Sequence, residues 1–146
     1  MTTTADPAET HRVVDAFLGR LAVGDLPGLA ALFADDVDWR LSWPEAELGG
    51  PVPWIRARRT PDGVLEHFRL LAAHNVPHGA GTRVEHVLVD GAHAVVLGTI
   101  RNAIRHTGAP YAAHFALHLT VEGGRVRRYH VYEDSLSVAR AWEGVG

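Results

Sequence analysis

Between residues 8 and 22 the apolar side chains Val13, Val14, Phe17, Leu18 and Leu21 fall on one stripe at helical period, and Gly24 supplies a stop. The pattern predicts an amphipathic helix. A second, shorter helix is predicted from a cap at Asp25, with Pro27 in its first turn and Leu26, Leu29, Leu32 and Phe33 inward, ending at Asp35 and Asp36. The period then changes. Val37, Trp39, Leu41 and Trp43 alternate with Asp38, Arg40 and Ser42, which is a half-buried strand running to Pro44. Residues 44–60 hold Pro44, Gly49, Gly50, Pro51 and Pro53 and read as a long irregular loop carrying Trp54. Thr60 or Asp62 caps a third helix, with Val64, Leu65, Phe68, Leu71 and Ala72 on its apolar face up to about His74.

After Gly81 the chain alternates throughout. Strands are predicted at about 82–90, 93–106, 111–121 and 125–133, separated by Asp90-Gly91, by Thr107 to Pro110 and by Glu122-Gly123-Gly124. Connections this short make the strands antiparallel neighbours. A last helix from Ser135 to Trp142 is capped by Asp134 or Ser135. Helices first and strands after them predict an α+β domain, a curved antiparallel sheet wrapped around N-terminal helices. The 146 residues suit a single domain over 1–146, with residues 1–7 expected to be disordered.

Composition narrows the chemistry. All 14 basic residues are Arg, and the absence of Lys removes Schiff-base mechanisms and Walker-type phosphate loops. The absence of Cys removes thiol nucleophiles, iron–sulfur clusters and Cys-bound zinc. None of Ser42, Ser135 and Ser137 sits in a Gly-x-Ser-x-Gly turn. Ten His, the carboxylates, Tyr and Arg remain, the vocabulary of general acid–base work. A formal net charge of −3 does not point to nucleic acid. No apolar run approaches the roughly 18 residues of a membrane span, and residues 1–10 lack a signal-peptide pattern. No membrane partner and a cytoplasmic location are therefore expected.

Three segments carry a resemblance. Leu32-Phe33-Ala34-Asp35-Asp36-Val37 leads into the first strand, Val89-Asp90-Gly91-Ala92-His93-Ala94-Val95-Val96 crosses a hairpin, and Gly124-Arg125-Val126-Arg127-Arg128-Tyr129 is followed by Asp134-Ser135-Leu136. Together with the element order they resemble the nuclear transport factor 2-like superfamily, and within it the SnoaL-like polyketide cyclases. The resemblance implies a cone-shaped fold with a ligand cavity, a homodimer through the outer face of the sheet, and small-molecule chemistry without a cofactor. Ketosteroid isomerase fits less well, because its general base would fall at Leu41 and its second acid near Ala116. In the SnoaL-like cyclases an acid–base Asp ends the last strand, where this chain has Asp134, and a His lies on the preceding strand, where it has His118 and His114.

The residues set out the alternatives. His114, Ala116, His118 and Thr120 share one strand face, and Phe115, Leu117, Leu119 and Val121 the other. The two His either line the cavity and move a proton or face a dimer partner or solvent. Four strand steps at roughly 3.3 Å separate them by about 13 Å, too far for one metal ion, so metal independence is expected. His130, Tyr132 and Asp134 share a face opposite Tyr129, Val131 and Glu133, and parity alone does not choose which is inward. Asp134 is either catalytic or a helix cap. A bulge would exchange its face with that of Glu133. Trp39, Trp43 and Trp54 either wall a cavity for an apolar or aromatic substrate or fill the core. Asn102, among Val96, Ile100 and Ile104, either satisfies backbone groups or orients a substrate carbonyl.

Arg56, Arg58, Arg59, Arg127 and Arg128 read as a solvated face unless the substrate is anionic. The expected activity is aldol-type cyclisation, or a related isomerisation or dehydration, of a polyketide-derived substrate. Asp134, His118 and His114 would be catalytic, and Trp39, Trp43, Trp54, Asn102, Tyr129, His130 and Tyr132 would bind substrate. The alternatives are a non-catalytic binding or dimerisation module and a limonene-epoxide-hydrolase-like enzyme, for which Arg101 is a possible relay member.

Overall fold

The computed structural model describes residues 6–44 and 51–144. Helix α1 spans Pro7–Val23. Asp6 caps it by accepting a hydrogen bond from the Ala8 N–H at 2.9 Å, and it stops where Gly24 turns left-handed at φ 74°. Of the segment 1–7 expected to be disordered, Asp6 and Pro7 form the cap and first turn of α1, and residues 1–5 lie outside the described residues. Helix α2 is only Leu26–Ala30, capped by Asp25. It does not run to Asp35. Strand β1, Phe33–Leu41, begins at once, and Phe33 and Val37 are buried from the strand rather than from a helix.

Residues 45–50 of the predicted loop lie outside the described residues. The returning segment runs along β1, where the Val37 N–H donates to the Arg59 carbonyl at 2.8 Å. Thr60 then caps α3, Pro61–His74. Strand β2, Asn75–Pro77, follows directly and was not legible in the pattern, because three residues are too few to show a period. Strands β3 (Arg83–Asp90), β4 (His93–Ile104), β5 (Pro110–Glu122) and β6 (Arg125–Glu133) form the expected antiparallel meander, and α4 is Ser135–Glu143. Gly123 and Gly124, at φ 58° and 74°, make the tight turn between β5 and β6 that a Cβ would strain.

The sheet order is β1-β6-β5-β4-β2, with β3 also on β4. Strand β1 pairs parallel to β6, with a register shift between Phe33 and Asp38 that bulges it. One core lies between α1, α3 and the concave face of the sheet, around Phe17, Phe33, Val64, Phe68 and Leu119. A second gathers Val52, Trp54, Ile55, Ile104 and Ala113 under Val138 and Ala141 of α4.

Candidate functional site

The concave face of the sheet, α1 and α3 enclose a cavity of about 770 Å3. That lies within the usual range for small-molecule sites, about 300–1,000 Å3. Its wall is mainly apolar, including Phe17, Phe68, Phe115, Leu117 and Trp54. Burial of that apolar set decides the direction of every strand face. On β5, Leu117 and Leu119 must pack inward, so period two sends His114 and His118 to the outer face. On β6, Tyr129, Val131 and Glu133 point into the cavity, and His130 and Tyr132 point away.

Several expected site residues therefore stand outside the cavity. Asp134 is an exposed helix cap: one carboxylate oxygen accepts from the Ser137 N–H at 3.3 Å and the other from the Ser137 hydroxyl at 2.5 Å. The Ser137 hydroxyl is the main reason its carboxyl lies below the usual value. His114 meets the Thr99 hydroxyl at 3.1 Å on the outer face. His118 shares a 2.9 Å hydrogen bond with His93, and burial together with the His93 charge lowers its pKa. His130 lies 3.0 Å from Asp38, and Tyr132 is half exposed. Arg101 is on the strand face opposite Asn102. Among the described residues no group of three His, Asp or Glu is placed to hold a metal ion.

The cavity instead presents Glu133. Its carboxyl is pushed above the usual carboxylate range, mainly by burial, and the charge of Asp134 adds to the shift. The Trp43 indole N–H donates to Glu133 Oε1 at 2.6 Å and opposes that rise. Trp43 is thus a buried support for the carboxyl and does not line the cavity. Trp39 stacks on Tyr129 at 4.2 Å and meets His67 at 4.7 Å, so it packs beside two residues of the cavity wall without lining the cavity itself. Trp54, Asn102 and Tyr129 line the cavity.

A second polar station is built from Asn102, Tyr111 and Asn75, all on the cavity wall. Asn102 donates to the Tyr111 hydroxyl at 3.3 Å, Tyr111 donates to Asn75 Oδ1 at 2.7 Å, and Asn75 donates to the Leu71 carbonyl at 2.9 Å. Burial pushes the Tyr111 hydroxyl up to about 12, so it stays a neutral donor. His67, on α3, is the third polar group. Burial lowers it to about 3, so its ring is neutral, and its Nδ1–H donates to the Trp54 carbonyl at 3.1 Å, leaving Nε2 as an acceptor.

Reading the residues missed His67, although it lies three positions after Val64 and four before Leu71, within the apolar stripe of α3. Tyr111 shares the period-two face of Phe115, which was its available signal.

A family model for the SnoaL-like domain matches residues 14–129. The chain belongs to that family. Among curated proteins no sequence matches it. Solved structures of low identity share the SnoaL-like chain's fold. A nuclear transport factor 2-like protein of Burkholderia xenovorans LB400 is 19% identical, with TM-score 0.77, covering 94% of this chain and 98% of that one. A Rhodopseudomonas palustris protein described as a candidate isomerase is 21% identical, with TM-score 0.72 and 99% of each chain covered. TerC, co-crystallised with polyporic acid, is 19% identical, with TM-score 0.73, covering 92% of this chain and 98% of that one. Among the described residues of the SnoaL-like chain no helix is long and apolar enough to cross a membrane.

Proposed function

We propose that this SnoaL-like chain is a small-molecule enzyme performing cofactor-independent acid–base chemistry on an apolar, cyclic or polyketide-derived substrate, with Glu133 as the proton-transferring group. The observation that carries the proposal is a carboxyl with a raised pKa on the wall of a large apolar cavity. Such a group takes up a proton in one step and returns it in the next. In aldol-type ring closure the Glu133 carboxylate removes a proton from the carbon beside a carbonyl, and the C–H electron pair becomes the enolate. The enolate carbon attacks a second carbonyl carbon of the same molecule. The resulting alkoxide then takes the proton back from Glu133, so the step is redox-neutral.

In this reading the Asn102 amide would donate to the enolate oxygen, and the His67 Nε2 would accept from a substrate hydroxyl. A donor placed where charge develops is worth about 3 kcal/mol in other enzymes. Trp54, Phe115 and Tyr129 suit a ring, and the co-crystallisation of TerC with polyporic acid supports a small-molecule ligand. Isomerisation or dehydration would use the same groups.

The test is turnover of a panel of polyketide-like diketones by the wild type, Glu133→Gln and Asp134→Asn, with binding measured in parallel. Glu133→Gln should bind a converted substrate but lose roughly 10²-fold or more in turnover, and Asp134→Asn should retain it. Equal turnover by wild type and Glu133→Gln would remove Glu133 from the chemistry, and binding without turnover by the wild type would favour a binding module. A second copy packed on the outer face is part of the proposal. Leu88 and Tyr132 are exposed there, and sedimentation at rising concentration would show whether the chain self-associates.

A further inference from the structure

The arginine run that reads as a solvated face contains one residue that is not solvated. The Arg58 side chain is only 7% exposed. Its Nη1 pairs with Glu66 Oε2 at 3.0 Å, but its Nε and Nη2 are buried and have no hydrogen-bond partner among the described residues. The Trp39 indole N–H is also buried and without a partner among the described residues. Both side chains line a second cavity of about 360 Å3, beside the β1 bulge, which Arg59, Arg127, Asp36 and Asp38 also border.

The two carboxylates of that cavity are already engaged. Asp36 pairs with Arg59 at 3.3 Å, and Asp38 pairs with Arg128 at 3.1 Å and His130 at 3.0 Å. What the site lacks is an acceptor. Buried donors are rarely left unpaired, and a buried guanidinium is costly unless its N–H groups are satisfied. The Nε and Nη2 edge of a guanidinium offers two parallel N–H groups, the fork that matches two oxygens of one oxyanion.

We propose that this cavity is a binding site for a small oxyanion, a carboxylate or a phosphate, gripped by the Nε and Nη2 edge of Arg58 with the Trp39 indole N–H as a further donor and Arg127 at the border. The site is separate from the Glu133 cavity and does not depend on the acid–base reading. Trp39 connects the two, because its ring stacks on Tyr129 at 4.2 Å and meets His67 at 4.7 Å, and both of those residues line the larger cavity. Occupancy of the small site therefore reaches the wall of the large one through a single aromatic ring.

The test titrates nitrogen-15-labelled protein with sodium phosphate and, separately, sodium acetate, against sodium chloride at matched ionic strength. The signals followed are the Trp39 indole N–H, assigned by its loss in Trp39→Phe, and the Arg58 Nε–H. The expected result is saturable movement of both signals and a rise in melting temperature with phosphate, acetate or both. Movement with phosphate alone identifies a tetrahedral ligand, and with acetate alone a carboxylate. The response should vanish in Arg58→Gln and weaken several-fold in Arg127→Gln, whose side chain is nearly half exposed in the wild type and whose loss leaves the core intact. Should Arg58→Gln fail to fold, the wild-type and Arg127→Gln titrations decide. The proposal is overturned if neither signal moves saturably, if chloride moves them equally, or if folded Arg58→Gln responds like the wild type.

Discussion

Trp43→Phe isolates the hydrogen bond that restrains Glu133. The indole N–H donates to Glu133 Oε1 at 2.6 Å, and that hydrogen bond holds the carboxyl down against burial. Hydrogen bonds to charged groups contribute roughly 1.5–3 kcal/mol. At about 1.36 kcal/mol per pKa unit, losing one that favours the ionised form should raise the Glu133 pKa by about 1–2 units. The phenyl ring keeps most of the buried apolar contact, so the change falls mainly on the carboxyl.

The assay is a carbon-13 NMR titration of labelled glutamate side chains, with the Glu133 resonance assigned by its loss in Glu133→Gln. Stability gives an independent check of sign. Because the folded pKa of Glu133 is raised, its stabilising contribution is fully present below the unfolded pKa and is lost as pH rises through the folded value. Above that value both wild type and Trp43→Phe carry a buried carboxylate, and Trp43→Phe carries it without its donor. The variant should therefore lose more stability than the wild type on the alkaline side, and Glu133→Gln should flatten this part of the profile. A Glu133 titration that stays in place, or moves down, in Trp43→Phe would refute the assigned role of the indole.

Three further outcomes follow from the same geometry. The His67 ring should stay neutral with its proton on Nδ1 from pH 5 to 8, and nitrogen-15 ring shifts that titrate near the usual His value of about 6.5 would contradict its burial. Asp134→Ala should cost about 1 kcal/mol through loss of the α4 cap, read from denaturant midpoints, and stability equal to the wild type would deny the capping role. Gly98→Ala would drive a Cβ into the Arg83 carbonyl oxygen and to 2.9 Å from the Phe115 ring, so it should lose about 1–3 kcal/mol and several degrees in melting temperature. An unchanged melting temperature would show that β3 moves freely away from β4.

The sequence by itself determined the element types, because each is a local matter of period and cap. The stripe from Val13 to Leu21, the caps at Asp25 and Thr60 and the turn at Gly123-Gly124 all depend on residues a few positions apart, and all are present in the structure. It offered Asn102, Trp54 and Tyr129 as candidate substrate contacts without deciding which way they face, and it is the structure that puts them on the cavity wall. The boundary between α2 and β1 was not legible, because Leu32 and Phe33 suit a helix stripe and a strand equally, and the pairing of β1 with β6 decides it. Only the tertiary structure decided which face of β5 and β6 looks inward.

Alternation divides a strand into two sets but does not name the buried one, and both sets on β6 hold an aromatic residue and a carboxylate or an imidazole. Packing against α1 and α3 selects Tyr129, Val131 and Glu133, and a single-residue step then leaves Asp134 outside as a cap. The same reason hid Arg58: a guanidinium is buried or solvated according to what a distant segment packs against it, and no local pattern records that.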